Sequence, residues 1–244
     1  MEPVRRELLQ KSRIFYEKFV EQASDDPLLT VQLWDVHLRL GRILSDLGDP
    51  AAAILEYQKH HDICVQLARD HPGRPAVTML SKSYSVLGDT HYGLGNLNEA
   101  VDAYREATTA RELLAKDFPD DLRNVVLLTV AFHDLGIALG DLGKHNDAIA
   151  AFNESFVILK QLVKDDPANP AHAYGLAFSY ADLGSAYNNL GKPIESLENY
   201  NKAITIQEQL VKGHPDNSAF TSGLSSTCYK LGSVSAASGE HAET

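Results

Sequence analysis

The chain has 244 residues, 44% of them apolar and 23% charged, and carries a formal net charge of −11. This composition is typical of a globular protein, as one elongated domain or two small ones. The acidic balance argues against sequence-independent binding to nucleic acid, which depends on clustered Lys and Arg. The charged N-terminal segment lacks the apolar core of a signal peptide, so no membrane contact by this segment is expected.

In chain order, the periodicity predicts a single helix, four helix pairs and a last helix. The single helix covers about residues 3–22 and the last helix about 218–238. The pairs are predicted at 28–47 with 50–70, 75–94 with 97–117, 122–142 with 145–165, and 170–190 with 193–212. The two cysteines, Cys64 and Cys228, are predicted to be buried free thiols rather than a disulfide.

Several small and aromatic residues recur at nearly fixed spacing along these pairs. Leu-Gly pairs begin at residues 40, 87, 135, 183 and 231. A second glycine follows each of these glycines at a distance of seven residues. Such a fixed spacing indicates a repeat architecture. The first glycines are Gly41, Gly88, Gly136, Gly184 and Gly232; the second are Gly48, Gly95, Gly143, Gly191 and Gly239; small residues follow at Ala53, Ala100, Ala148 and Ser196, aromatic residues at Tyr57, Tyr104, Phe152 and Tyr200, and prolines at Pro72, Pro119, Pro167 and Pro215.

Each recurring residue has a mechanical interpretation in a helix-turn-helix unit. The first glycine and the small residue are predicted where two antiparallel helices approach most closely, since overpacking there would cost about 1–3 kcal/mol. The second glycine suits the left-handed position just past a helix end, and the proline ends the second helix. The predicted units are 28–72, 73–119, 120–167, 168–215 and a partial one at 216–239, after an N-terminal helix in 1–27 and before a tail at 240–244.

The core is predicted from leucines that recur with the glycines. Stacked pairs of this kind would bury one continuous core and form a superhelix with a concave wall. The predicted core leucines are Leu40, Leu47, Leu87, Leu94, Leu135, Leu142, Leu183 and Leu190 on the first helices, and Leu67, Leu114, Leu162 and Leu210 on the second.

This pattern resembles the tetratricopeptide repeat over nearly the whole chain, from about 28 to 239. The matching residues are clearest at Leu183, Gly184, Tyr187, Gly191, Ser196 and Tyr200. The resemblance implies an all-α fold class, an α-solenoid in which antiparallel helix pairs form a right-handed superhelix. The spacing of 48 residues exceeds the usual 34, which allows about two further turns on each helix.

A second resemblance concerns the longer protein from which such arrays come. Segments such as "LAKDFPDD" and "LVKDDPANP" are similar to the arrays that follow the kinase domain and membrane span in large planctomycete-type bacterial Ser/Thr protein kinases. The resemblance implies that the chain is a sensor or docking portion of such a protein. It would be cytoplasmic as an isolated chain, or part of a membrane-anchored parent.

The residues offer no candidate catalytic machinery. "YGLG" at 92–95 lacks the preceding strand of a phosphate-binding loop, and "DFP" at 117–119 is not a kinase D-F-G motif. The histidines lack metal-ligand spacing, so no metal and no cofactor are expected. The acidic pairs Asp25-Asp26, Asp120-Asp121 and Asp165-Asp166 are interpreted as helix-boundary residues that cap backbone N–H groups.

The resemblance places ligand contacts on exposed positions of the first helices, facing the concave side. Tyr92, Phe178 and Tyr229 are the predicted aromatic anchors, and the same positions also include Leu38, Val130, Ile137 and Ala181. The Lys, Asn and Arg set that clamps a C-terminal carboxylate in some family members is missing. The predicted groove residues are Asp35, Arg42, Lys82, Asp89, Tyr92, His133, Asp141, Phe178, Ser185, Asn188, Asn189 and Tyr229.

The main functional hypothesis is a non-enzymatic scaffold that binds a protein or peptide segment in this groove. The alternative is a structural module that assembles through the ends of the solenoid. Self-association into a homo-oligomer is expected, because the last helix has no second helix to cover it and would expose an apolar strip. An enzyme is the third hypothesis, without a candidate nucleophile in the chain.

Overall fold

The computed structural model describes the backbone of residues 2–23 and 30–242 and the side chains of residues 4–22 and 33–237. These described residues form ten α-helices and no strand, so the predicted all-α class is confirmed. The helices are α1 (Glu2–Ala23), α2 (Thr30–Asp46), α3 (Pro50–Asp70), α4 (Arg74–Gly93), α5 (Leu97–Asp117), α6 (Leu122–Asp141), α7 (His145–Asp165), α8 (Pro170–Asn189), α9 (Pro193–Gly213) and α10 (Ser218–Ala242).

The chain divides into two compact units, Met1–Pro119 with α1 to α5 and Asp120–Thr244 with α6 to α10. In unit 1, α2 packs against α1 and α3, and α4 packs against α3 and α5. In unit 2, each helix packs against the next, and α10 also contacts α8. Because the connections within each helix pair are only three residues long, the paired helices run antiparallel.

The helix ends agree with the predicted ends to within two residues, except at the end of the chain. There α10 continues to Ala242, so Gly239 lies inside the helix and the prediction that it ends the helix is wrong. Ala236 and Ala237 just before it are strong helix formers, and one glycine in a helix interior costs only about 1 kcal/mol.

The helix-ending role of the earlier second glycines is confirmed. Gly191 has a φ of 75°, and Lys192 N donates to Tyr187 O at 2.9 Å, the six-residue hydrogen bond of a Schellman motif. Gly48, Gly95 and Gly143 have the same left-handed backbone. Local backbone chemistry therefore reverses the chain between the helices of each pair.

Four of the five first glycines, all except Gly232, accommodate an aromatic ring rather than a closely approaching helix backbone. A Cβ atom on Gly184 would lie 2.8 Å from the ring of Tyr200, and one on Gly41 would lie 2.5 Å from the ring of Tyr57. Gly88 and Gly136 meet Tyr104 and Phe152 in the same way. The small residues at 53, 100, 148 and 196 are fully buried, as predicted.

Most of the predicted core leucines are buried, but Leu94 is 38% exposed. It is the C-cap residue of α4, outside the helix itself. Leu47, Leu67, Leu142 and Leu190 are only partly buried. The interior contains polar residues in addition, among them His60 and Gln207, each 1% exposed.

Of the predicted acidic caps, one is confirmed and one is corrected by the structure. Asp121 does cap α6, because its carboxylate accepts from Arg123 N at 3.1 Å. Asp165 and Asp166 instead lie at the C-terminal end of α7, and Asn169 caps the next helix through Ala171 N. Asp25 and Asp26 lie outside the described residues. Cys64 is a buried free thiol as predicted, whereas Cys228 is exposed.

The last helix does not expose the predicted apolar strip in its described part. Cys228 and Ser235 are exposed where the earlier first helices carry larger side chains. Tyr229 is the one large apolar side chain that is strongly exposed on the described part of α10.

The most apolar helix is α6, which has the length and composition of a membrane-spanning helix. Half of that apolar segment is buried inside the fold, including Leu128, Phe132 and Leu135. Since the core helix of a soluble protein has the same composition, this feature is explained by the packing of α6 on α7.

Candidate peptide-binding surface

The predicted groove residues of unit 1 do not form one continuous site. Arg42 on α2 and Asp89 on α4 line the same depression, which has a volume of about 350 Å³ and is bordered by Tyr57 and Val86. Asp35 pairs with Arg39 one turn along its own helix. Lys82 is exposed and Tyr92 is half-buried, and neither lines the depression.

The unit 1 depression contains charges of both signs around a buried phenol. Burial raises the pKa of Tyr57, Arg42 opposes this rise, and Asp46 and Asp89 add to it. Asp89 also accepts a hydrogen bond from the hydroxyl of Tyr104 at 2.8 Å. The carboxylate of Asp89 therefore stabilises the packing of its own helix pair.

In unit 2 the structure brings His133 and Phe178 together in a single pocket. Its volume is about 260 Å³, and it lies between α6, α7 and α8. Val130 and Phe178, which are 47% and 37% exposed, are its most accessible apolar residues. The pocket is lined by Thr129, Val130, His133, Ser155, Leu159, Gly175, Phe178 and Ser179.

His133 forms an ion pair with Asp182, a residue that the sequence analysis did not select. The His133 Nδ1 and Asp182 Oδ2 atoms are 2.9 Å apart, and Asp182 is largely buried. Burial alone would lower the pKa of His133, but the hydrogen bond and charge of Asp182 outweigh it, so the pKa is raised. Asp182 lies four residues after Phe178 on α8, a helical spacing that places both on one face.

Ser185 uses its whole hydrogen-bonding capacity within unit 2. Its hydroxyl donates to Ala181 O at 3.1 Å, and it accepts from the Tyr200 hydroxyl at 3.0 Å and from Lys230 Nζ at 3.3 Å. A serine hydroxyl has one donor and two acceptor positions. Ser185 therefore holds Lys230, another residue that the sequence analysis missed, and is not free to contact a ligand.

We call His133, Asp182, Ser185 and Lys230 the polar row of unit 2. It runs from α6 through α8 to α10, so three first helices contribute to it. Asp141, Asn188, Asn189 and Tyr229 are exposed on the same three helices but do not line the pocket. Leu38 and Ala181, also placed on the ligand face by the sequence, are buried.

In the second, third and fourth repeats, the polarity of the residue after the first glycine matches the aromatic residue of the next helix. Asp89 receives the Tyr104 hydroxyl, and Ser185 receives the Tyr200 hydroxyl. Where the aromatic residue is Phe152, which has no hydroxyl, the equivalent position is the apolar Ile137. This position is therefore chosen partly by internal packing and not by a ligand alone.

Among the described residues, no group of three or more His, Cys, Asp or Glu side chains is placed to hold a metal ion. The buried Cys64 thiol is also unsuited to nucleophilic chemistry, because burial raises its pKa to about 11. The surface described above offers a pocket, hydrogen-bonding groups and charges, which are features of a binding surface.

Comparison with known proteins identifies the repeats. Family models described as tetratricopeptide repeat match residues 80–120 and 179–210. The chain contains tetratricopeptide repeats. No curated protein sequence matches it.

Solved structures with similar folds support the fold class. The structure of BtubC (BKLC) from P. vanneervenii matches with a TM-score of 0.67 and 19% identity, over 95% of this chain and 84% of that one. RapI in its apo form matches with a TM-score of 0.69 and 16% identity, over 92% and 54%. A Podosopora anserina putative kinesin light chain with TPR-like repeats gives 0.63 and 17%, over 84% and 89%. These likenesses confirm the α-solenoid fold class.

Proposed function

We propose that this chain is a non-enzymatic protein-interaction scaffold that binds a peptide or protein segment. The observation that carries the proposal is the juxtaposition of the unit 2 pocket, between α6, α7 and α8, with the polar row on the first helices α6, α8 and α10. An apolar pocket beside spaced hydrogen-bonding groups suits a polypeptide, which alternates side chains with backbone polar groups. The presence of tetratricopeptide repeats is consistent with this role.

Selection from a random peptide library tests this proposal without knowledge of the partner. Twelve-residue peptides displayed on phage are selected on the immobilised full chain, and binding of the enriched peptides is mapped by hydrogen exchange. We expect new protection on α6, α8 and α10. Failure to enrich any peptide, or protection confined to second helices such as α7 and α9, would contradict the proposal.

We further propose that the chain is the docking portion of a larger bacterial signalling protein associated with a Ser/Thr kinase. The support is the similarity of the opening segment and of "LAKDFPDD" and "LVKDDPANP" to arrays in kinases of the planctomycete type. The coding sequence on both sides of these 244 residues is the direct test. A kinase domain and a membrane span upstream are expected, and their absence would remove this part of the proposal.

Assembly through the ends is a second candidate, and α1 is the element that favours it. Val4, Leu8 and Phe15 are 62%, 59% and 64% exposed on this helix, and their spacing places them near one face. Sedimentation equilibrium of the wild type and of Leu8→Glu distinguishes the candidates. Self-association that is lost in the variant favours assembly, whereas a monomeric wild type excludes it at the concentrations tested.

A further inference from the structure

The unit 2 pocket has the size of a site for one side chain. Its volume of about 260 Å³ is below the range of roughly 300–1,000 Å³ found for small-molecule sites. Thr129, Ser155 and Ser179 contribute short side chains, and Val130 and Phe178 provide exposed apolar surface. A leucine, methionine or phenylalanine side chain is the ligand group that such a pocket desolvates most favourably.

Glycine at position 175 helps to form the floor of this pocket. A Cβ atom on Gly175 would lie 2.8 Å from Leu159 Cδ2, so the leucine side chain lies directly against the backbone of α8. The residue on α9 that is equivalent to Leu159 is Gln207, a buried amide with no hydrogen-bond partner among the described residues. The apolar floor is therefore specific to the pocket between α6 and α8.

The acidic and basic side chains of the polar row differ in whether they have a partner of opposite charge. Asp182 is already paired with His133 at 2.9 Å. Lys230 is held by the neutral Ser185 hydroxyl, and no carboxylate of the described residues is within ion-pairing distance of it. The polar row thus offers an ammonium group whose charge is not neutralised by a direct partner. In unit 1, Arg42 and Asp89 instead border one depression with opposite charges.

We infer that unit 2 recognises a peptide segment that carries one large apolar side chain and, a few residues away, an aspartate or glutamate. The apolar side chain enters the pocket beneath Val130 and Phe178, and the carboxylate pairs with Lys230. This inference rests on the proposed function and specifies the ligand of the same surface.

Defined peptides test the two elements separately. The probes are fluorescein-labelled 12-residue Ala/Ser peptides that carry Leu, Phe or Ser at one position and Glu, Gln or Lys one to six residues away. Affinities for the full chain are measured by fluorescence polarisation. We expect the best Leu–Glu or Phe–Glu peptide to bind at least about tenfold more tightly than its Ser or Gln counterpart, since loss of a buried anchor or an ion pair each costs about 1.4 kcal/mol or more.

Matched protein variants assign each preference to its residue. Lys230→Glu is expected to invert the preference from Glu to Lys, while the control Lys212→Glu, on the exposed last turn of α9, leaves it unchanged. Val130→Asp is expected to abolish the Leu or Phe preference, while Val157→Asp, at a more exposed valine outside the pocket, does not.

Two outcomes separate this inference from the broader proposal. Peptides that bind without an apolar or an acidic preference, or with preferences unchanged by Lys230→Glu and Val130→Asp, overturn the inference and leave the scaffold function in place. Absence of binding by any defined peptide overturns it as well. If the random library also yields no binder, the proposed function fails together with it.

Discussion

The electrostatic environment of His60 and His61 in unit 1 is opposite to that of His133 in unit 2. In unit 1, His60 donates from Nδ1 to Trp34 O at 2.7 Å and His61 contacts Ser83 Oγ at 2.9 Å, so both have neutral partners. Burial lowers the pKa of each. In unit 2, His133 faces the Asp182 carboxylate and its pKa is raised. Burial alone does not decide the charge of a histidine; the charge of its partner does.

The same contrast separates polar groups in the interior from polar groups that are accessible to a ligand. The buried histidines of unit 1 lie among α2, α3 and α4, and Cys64 lies 3.8 Å from His60 Nε2. They fill the interior and have no accessible surface for a ligand. His133 is partly exposed and lines a pocket, so its charge is available to a bound molecule.

The largest expected effect tests the framework that the two units share. Gly41→Val in unit 1 and Gly184→Val in unit 2 would place side-chain atoms inside the rings of Tyr57 and Tyr200. We expect each to lower the free energy of unfolding by about 3 kcal/mol or more in urea titrations, because overpacking and a β-branched residue act together. Gly232→Ala is the control: nothing lies within 4 Å of the added Cβ, so stability should rise by up to about 1 kcal/mol. Equal effects at all three positions would contradict the ring-contact explanation.

Removal of the ion pair should affect unit 2 next most strongly. Asp182→Asn leaves the partly buried His133 without its carboxylate, and we expect a loss of about 1–3 kcal/mol in the free energy of unfolding. The pKa of His133 should also fall, measured from its ring-proton NMR signal, since its main raising influence is gone. Asp216→Asn, at an exposed carboxylate between α9 and α10, is the matched control. An unchanged titration of His133 in Asp182→Asn would show that the pair does not form in solution.

The pH dependence of stability should have opposite signs for the two sets of histidines. For His60 and His61 the folded pKa is lowered, so the unfolded state binds more protons and their contribution is complete above about pH 6.5 and lost as the pH falls below it. For His133 the folded pKa is raised, so its contribution is complete below about pH 6.5 and lost as the pH rises through the folded pKa. NMR titration of the full chain checks this order: the midpoint of His133 should lie above those of His60 and His61. A reversed order would contradict the contrast between the units.

The smallest expected effect concerns the residue after the first glycine. Tyr200→Phe should cost about 0.5–1.5 kcal/mol of unfolding free energy, because Ser185 loses a hydrogen-bond donor. The reverse change, Phe152→Tyr, should not be stabilising, since the corresponding position is Ile137. Urea titrations measure both. A gain in stability in Phe152→Tyr would show that the hydroxyl does not need a polar partner at this position.

The binding surface could be predicted only in outline. The family resemblance selected His133 and Phe178, and both line the pocket. It also selected Ser185, whose hydroxyl is fully used inside the protein. Asp182 and Lys230 were missed because a charged residue on a first helix gives no local indication of its partner on another helix.

The helix ends and turns were determined by the sequence alone, because they depend on neighbours in the chain. Gly191 ends α8 through its left-handed backbone, and the next residue, Lys192, donates its N–H to Tyr187 O. The pocket between α6 and α8, the pairing of His133 with Asp182 and the exposure of Leu94 were decided only by the tertiary structure. These features depend on distances between side chains that are far apart in the chain, and packing of helices against one another sets those distances.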